Sequence, residues 1–284
     1  MRADGKRVKG LSAIVQALPH IMPRRYDAQN WSTAYIDEDG VRDYIRQKRR
    51  EGNSVTHMSV VAAAYYKAAL ENPKLNYFIM NRKIYERNHF CFSFVILKTR
   101  ADGTPDETVI KVFLEPEDTV FTITDKIKKQ IDRNLVSAHN NNTDKFANIA
   151  FSIPGLAKFV FWLAYKLDQF GLLPRAIIDL SPFHTSLFIT NLASINTNYI
   201  HHHCYEFGTT SVFICMGKPE QDPLHPEDKR KKRMPLGVVM DERIATGIEY
   251  SRFFAAFLRY LKTPEVLEMR LDGKGTELPA AAEA

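Results

Sequence analysis

The sequence of 284 residues contains only three cysteines, Cys91, Cys204 and Cys215. They are odd in number, widely spaced and without a Cys-x-x-Cys pair, so the sequence argues against a disulfide framework and against a thiolate metal site. Reduced cysteines are typical of cytoplasmic proteins, and we therefore expect a cytoplasmic location.

The chain also lacks the apolar segments that target or insert a protein into membranes. No apolar region of signal-peptide length follows the basic N-terminus "MRADGKRVKG". The most apolar stretch, residues 153–174, is interrupted by Lys158, Lys166 and Asp168, so it falls short of the roughly 18 uninterrupted apolar residues of a spanning helix. We expect a buried helix over 155–170, although its many aromatic residues are also compatible with an apolar channel or a subunit contact.

No internal repeat and no linker rich in Gly, Ser or Pro divides the chain. We therefore predict an N-terminal arm over residues 1–20 and a single α/β domain over 21–271. Residues 272–284 have almost nothing to bury, and we predict that they form a disordered tail.

The formal net charge is +6, with much of the excess in the N-terminal segment and in "DKRKKR" at residues 228–233. No aromatic residues are interleaved with this basic run, so a solvated hairpin loop is the simpler interpretation and nucleic-acid binding is not expected. Binding of an anionic ligand, including the phosphates of a cofactor, stays open.

The spacing of apolar residues predicts an α/β protein in which helices cover a mixed sheet as a two-layer sandwich. A turn is expected at Asn81-Arg82. The predicted helices cover residues 40–50, 54–71, 115–138 and 248–267, and the predicted strands lie within 76–98, 107–115, 184–190, 209–217 and 234–241.

The stretch "VVMDERIATGIEY", residues 238–250, reads as a buried strand, a turn and a helix. Asp241, Glu242 and Arg243 lie together where the strand ends. Open α/β folds keep their chemistry at such strand ends, so this is a candidate functional site.

Three motifs, in this order, carry a resemblance to a known family: "ENPKLNYFI" at 71–79, "FITNLAS" at 188–194 and "PLGVVMDERIATG" at 235–247. Over residues 10–270 the chain resembles the catalytic domain of the 2-oxoacid dehydrogenase dihydrolipoyl acyltransferases and, more distantly, chloramphenicol acetyltransferase. Stretches such as "SPFHTSLFITNL" resemble stand-alone acyltransferase-domain proteins of anaerobic bacteria, which carry no lipoyl domain.

The resemblance implies a chloramphenicol acetyltransferase-like fold and acyl transfer from a coenzyme A thioester to a thiol, hydroxyl or amine of a small acceptor. It implies no lipoyl attachment in this chain. It also implies a homotrimer whose active sites form between subunits.

In the family, a histidine of a His-x-x-x-Asp-Gly signature is the general base, and a nearby hydroxyl donates to the oxyanion. By resemblance the hydroxyl is Thr190, whereas the histidine position holds Glu242 and the aspartate position holds Thr246. Asn191 and Arg243 are the corresponding candidates for binding the cofactor. In a trimer, Thr190 and Asn191 of one subunit would face Glu242 of the next.

A carboxylate with a reference pKa of about 4.3 is a poor base unless burial raises it toward about 6 to 7. We therefore expect activity to be weakened or lost, with Glu242 pairing with Arg24 or Arg25 as a structural latch. An active small-molecule acyltransferase that uses Glu242, His201 or His203 as the base is an alternative. A trimeric scaffold or a binder of anionic ligands, without catalysis, is another.

The histidine triplet at 201–203 is predicted to lie on a strand, which sends His201 and His203 to one face and His202 to the other. Three consecutive residues make a poor metal centre, so no metal is expected. His201 or His203 would supply a base if that face looks into the acceptor channel, and hydrogen bonding at a subunit contact is the simpler interpretation. His184 is expected either near the channel or in the core.

Overall fold

The structure is a computed structural model that describes residues 2–99, 103–136 and 152–273. Its strands are β1 (Gly5–Arg7), β2 (Gln29–Asp37), β3 (Tyr77–Met80), β4 (Lys83–Arg87), β5 (Phe90–Thr99), β6 (Pro105–Leu114), β7 (Leu187–Asn191), β8 (Val212–Met216), β9 (Glu220–Gln221) and β10 (Lys232–Asp241). Its helices are α1 (Ala13–Ile21), α2 (Glu38–Arg50), α3 (His57–Glu71), α4 (Val120–Val136), α5 (Leu156–Gln169), α6 (Arg175–Leu180) and α7 (Gly247–Lys262).

The main sheet is mixed and follows the order β2-β10-β8-β7-β5-β6, with β9 paired to the start of β10. β7 runs parallel to both β8 and β5, and the other neighbours on this path are antiparallel. A smaller sheet joins β1, β4 and β3, so residues 5–7 of the predicted arm form a strand. The expected turn joins β3 to β4. Asn81 and Arg82 both have positive φ, as the two central residues of a type I′ hairpin turn require.

One face of the main sheet carries the larger core, which α3, α4 and α7 cover. The helix α3 begins at a capping box between Thr56 and Ser59 and is apolar on nearly every side, so it is buried. Tyr65 of α3 packs against Phe253 and Phe257 of α7 in edge-to-face contacts. The predicted mixed sheet covered by helices is therefore confirmed.

The opposite face carries a smaller apolar cluster of Phe188, Phe213, Val239 and Cys204. The irregular segment 197–207 lies across this face and approaches β10 closely at Gly237. A Cβ at that glycine would lie 2.2 Å from the carbonyl oxygen of Ile200, so only glycine fits there.

The helix predicted over 155–170 forms as α5, but the prediction that it is buried is wrong. Trp162 is 53% exposed, and Phe159 and Phe161 are similarly open. Only Asp168 of this helix is fully buried, because a narrow stripe of the helix faces the protein. No helix in the described ranges is both long and apolar enough to cross a membrane. The predicted disordered tail lies, beyond residue 273, outside the described residues.

Candidate functional site

A cavity of about 610 Å³ opens beside the end of β7. Thr190 and Asn191 reach it from β7, and the side chains of β5, α4 and the turn after β7 form most of the wall. The wall is mainly apolar, and its aliphatic and aromatic members are Met58, Phe94, Val95, Ile96, Leu97, Ile127, Ile131, Leu135, Phe188, Leu192, Ile195, Tyr205 and Phe213. A mostly apolar chamber with a few polar groups is typical of a site for a small organic ligand.

His202 lies in the wall of the same cavity as Thr190. Its ring stacks on Phe213, with the centroids 4.2 Å apart and the planes within 11°. Its Nδ1 is 2.8 Å from the carbonyl oxygen of His203, and only a protonated Nδ1 can donate to that oxygen. The acceptor lone pair of the neutral ring therefore lies on Nε2.

Burial lowers the pKa of His202, and the neighbouring His203 lowers it further, against an opposing contribution from the backbone hydrogen bond. Desolvation acts in this direction because it disfavours the charged imidazolium. His202 is therefore neutral at pH 7, which is the form that accepts a proton.

The prediction that His201–His203 lie on a strand is wrong, because residues 200–205 are irregular. The cavity wall includes His202 but neither His201 nor His203. His201 instead places Nε2 3.0 Å from the carbonyl oxygen of Ser32, and His203 stacks on His202. Sequence reasoning missed His202 as a candidate. Gly237, inside the apolar part of β10, was a signal that another segment crosses there.

At the end of β10, the buried carboxylate of Asp241 is the centre of an ion-pair cluster. Arg243 donates to it from Nε at 2.8 Å and from Nη2 at 2.7 Å, and Nε of Arg25 lies 3.7 Å away. Glu242 instead accepts a hydrogen bond of 2.8 Å from the side-chain amide of Asn30. The predicted latch between Glu242 and Arg24 or Arg25 is therefore wrong, since the pairing arginines hold the adjacent aspartate.

The other residues of the predicted motif have structural contacts. Thr246 forms a capping box with Glu249 at the start of α7. Arg243 is buried and also donates to the carbonyl oxygen of Met22. It forms part of the wall of a second, polar pocket of about 380 Å³, which the basic side chains of Arg24, Arg25 and Arg82 share with Glu206.

His184 lies in the core. Its Nε2 is 3.0 Å from Oδ2 of Asp168, and its Nδ1 is 2.7 Å from the hydroxyl of Ser181. Arg2 donates to the other oxygen of Asp168 at 2.6 Å, which closes a buried network that includes Asp4. His184 does not reach the cavity beside Thr190.

The three cysteine thiols are free and buried. Burial raises the pKa of Cys204 to about 12, so this thiol is not a nucleophile at neutral pH. In the part of the chain that the structure describes, no three His, Cys, Asp or Glu side chains come together as metal ligands.

No protein-family model matches the chain. No curated protein matches it in sequence either. Solved structures, however, share its fold. A probable dihydrolipoamide acetyltransferase from Listeria monocytogenes 4b F2365 superposes with a TM-score of 0.55 at 15% identity, over 96% of this chain and 99% of that one.

Two further structures agree with this match. A truncated catalytic core of the 2-oxoacid dehydrogenase multienzyme complex from Thermoplasma acidophilum gives a TM-score of 0.56 at 12% identity, over 91% of this chain and 99% of that one. A chloramphenicol acetyltransferase gives a TM-score of 0.54 at 13% identity, over 91% of this chain and 100% of that one. The chain therefore has the acyltransferase fold of these proteins, as the sequence motifs indicated.

Proposed function

We propose that this protein transfers an acyl group from a coenzyme A thioester to a thiol, hydroxyl or amine of a small molecule. The observation that carries the proposal is the placement of His202 and Thr190 in the wall of one mainly apolar cavity. The fold, which is that of dihydrolipoamide and chloramphenicol acetyltransferases, supports the same class of reaction.

In this proposal Nε2 of His202 accepts the proton of the acceptor as its heteroatom attacks the thioester carbonyl carbon. The hydroxyl of Thr190 donates a hydrogen bond to the oxyanion of the tetrahedral intermediate. When the intermediate collapses, the carbon–sulfur bond breaks and the coenzyme A thiolate takes the proton back from His202. A neutral histidine whose ring is held by stacking suits this role.

Glu242 is not the base in this proposal. Its carboxylate is bonded to Asn30, and it is not part of the cavity wall. Although Glu242 stands where the family has its histidine, His202 provides a second route for removing the proton of the acceptor.

We also propose a homotrimer, in which Thr190 and Asn191 of one subunit face Glu242 of the next. Trp31 on the edge strand β2 is 69% exposed and Tyr35 is open on the same side, which supports a subunit contact there. The solved neighbours include a cubic core of a pyruvate dehydrogenase multienzyme complex. The three reduced thiols support a cytoplasmic location.

A second candidate is a protein that binds the thioester but does not transfer the acyl group. The bond between Glu242 and Asn30 favours it, because the residue at the family's catalytic position is occupied by a structural contact. A scaffold that binds anionic ligands through the basic run at 228–233 is less favoured, since this run is an exposed hairpin between β9 and β10.

Consumption of acyl-CoA with a panel of amines, thiols and alcohols tests the proposal. We expect turnover by the wild type and a loss of about 100- to 10,000-fold in His202→Gln. Thr190→Val should lose about 100- to 1000-fold, as for removal of one oxyanion donor. His225→Gln, at an exposed histidine in the loop before β10, and Glu242→Gln are the matched controls, and both should stay within a few-fold of the wild type.

Full activity in His202→Gln would rule out the proposed base. An inactive wild type whose melting temperature rises with acetyl-CoA concentration would support the second candidate. No turnover and no thermal shift at millimolar acetyl-CoA would contradict both.

A further inference from the structure

Many exposed apolar side chains lie on α5, α6 and the turn between them. Leu180 is 84% exposed, and Phe159, Phe161 and Trp162 of α5 are more than half exposed. We call this surface the aromatic face, and its members are Phe159, Trp162, Leu163, Phe170, Leu172, Ile177 and Leu180.

Charge on the aromatic face has one sign. Lys158 and Lys166 are exposed and bracket Phe159, Trp162 and Leu163 along the helix. Both acidic residues of the segment 152–180 are in ion pairs. Asp168 is buried against Arg2 and His184, and Asp179 pairs with Arg175. The outward surface is thus apolar with a cationic border.

A basic pocket adjoins one flank of the same helix, beside the exposed stripe. Tyr165 and Gln169 of α5 form one wall of the pocket that Arg24 and Arg82 line. A neighbouring pocket shares Arg82 and adds Arg7, His20 and Lys83. Glu206 is the one acidic residue that lines these two pockets.

We propose that the aromatic face docks on the surface of an anionic lipid bilayer. The side chains of Phe159 and Trp162 enter the boundary between headgroups and acyl chains, where aromatic residues are favoured. Lys158 and Lys166 extend their apolar stems along the membrane and hold their charges at the headgroups. The basic pockets beside α5 add attraction to lipid phosphates.

Charge favours lipid over a second copy of the chain as the occupant. A symmetric pair formed through this face buries two cationic borders in one interface, with no exposed acidic side chain of the segment 152–180 left unpaired to balance them. Anionic lipid removes this repulsion. The docking does not depend on the proposed acyl transfer, since none of its residues lines the cavity beside Thr190.

Flotation of the full chain with vesicles tests the inference. We expect the protein to float with vesicles of equal parts phosphatidylglycerol and phosphatidylcholine, and to float less as salt rises. Phe159→Glu combined with Trp162→Glu should weaken binding by about tenfold or more. Leu224→Glu is the matched control, because this leucine is 80% exposed in the hairpin loop before β10.

The cationic contribution has its own pair of variants. Arg82→Gln should weaken binding about fivefold, the effect of one basic residue near an anionic surface. Lys229→Gln, in the exposed basic run at 228–233, should leave binding unchanged.

Fluorescence supplies an independent measurement, since Trp31 and Trp162 are the two tryptophans of the sequence. In Trp31→Phe the remaining emission comes from Trp162, and it should shift to the blue when anionic vesicles are added. Absence of flotation, equal binding to pure phosphatidylcholine, or binding unaffected by Phe159→Glu with Trp162→Glu would overturn the inference. A smaller sedimenting mass of that double variant, without vesicle binding by the wild type, would assign the face to a contact between copies and also overturn it.

Discussion

Asp241 shows how a single buried side chain organises the end of β10. It carries a negative charge with no exposure to solvent, and Arg243 and Arg25 contact it from two sides. Its carbonyl oxygen also accepts a hydrogen bond from Tyr250 of α7. The join between strand and helix therefore depends on this residue more than on the neighbouring Glu242.

We predict that Asp241→Asn destabilises the protein by about 3 to 5 kcal/mol, because it leaves two buried arginines without their counter-charge. Glu242→Gln should cost less than about 0.5 kcal/mol, since an amide oxygen can still accept from Asn30. Chemical denaturation monitored by circular dichroism measures both. Equal effects of the two changes would contradict the assignment of the ion pair.

The network of Arg2, Asp4, Asp168 and His184 makes stability depend on pH. Burial alone raises the pKa of Asp168, but hydrogen bonding and charge from His184 and Arg2 outweigh it, so the pKa lies below 3.8. A lowered pKa in the folded state contributes stability that is complete above the unfolded value and lost as pH falls through the folded value.

We therefore expect Asp168→Asn to destabilise the protein most at neutral pH and progressively less below pH 3.8. Denaturation midpoints of wild type and variant at several pH values measure this. Asp43→Asn, at an exposed carboxylate paired with Arg46, should show little effect at any pH. A constant difference for Asp168→Asn across the range would argue against the charged pairing.

At the scale of single elements, the segment 197–207 depends on a close approach to β10. Its position sets that of His202, and the contact at Gly237 allows no side chain. The placement of the proposed base is thus a property of two elements and not of one residue.

We predict that Gly237→Ala costs about 1 to 3 kcal/mol and lowers the proposed transferase activity, because its Cβ displaces the backbone of Ile200. Gly247→Ala is the control, since no atom lies within 4 Å of its added Cβ and a helix favours alanine. Thermal denaturation and acyl-CoA consumption measure the two effects. Unchanged stability in Gly237→Ala would show that the segment moves freely.

Periodicity and turn chemistry predicted most elements correctly. The apolar spacing of α3 and α7, the charges at the end of β10 and the Asn81-Arg82 turn are all local features, so the sequence alone was sufficient. The surroundings of α5 were not predictable, because an apolar helix looks alike whether protein or another surface covers it. The position of His202 depends on a segment that crosses the sheet, and the pairing of Arg25 with Asp241 joins residues more than 180 positions apart. Periodicity describes only neighbours along the chain, so it predicts neither contact.

At the scale of the whole molecule, the exposed edge of the main sheet is the surface on which the proposed trimer depends. Trp31 lies on β2 with its ring largely in solvent, and an edge strand offers unpaired backbone groups beside it. A trimer would cover this surface and bring the end of β10 toward a neighbouring subunit.

We predict that Trp31→Glu lowers the sedimenting mass from that of a trimer to that of a monomer, because a charge replaces an aromatic side chain that the proposed trimer would bury. Analytical ultracentrifugation measures the mass. Ile14→Glu, which alters a similarly exposed residue on α1, should leave the mass unchanged. A wild-type protein that sediments as a monomer would contradict the proposed trimer.

The stacking of His202 on Phe213 also provides a magnetic probe of the candidate site. Protons held over the face of an aromatic ring are shielded by its circulating electrons, so the carbon-bound protons of this imidazole should resonate upfield of those of the other histidines among the nine. That resonance reports on ring titration and ligand entry without any label. Its return to an ordinary frequency on adding a thioester would show the ring moving away from the sheet.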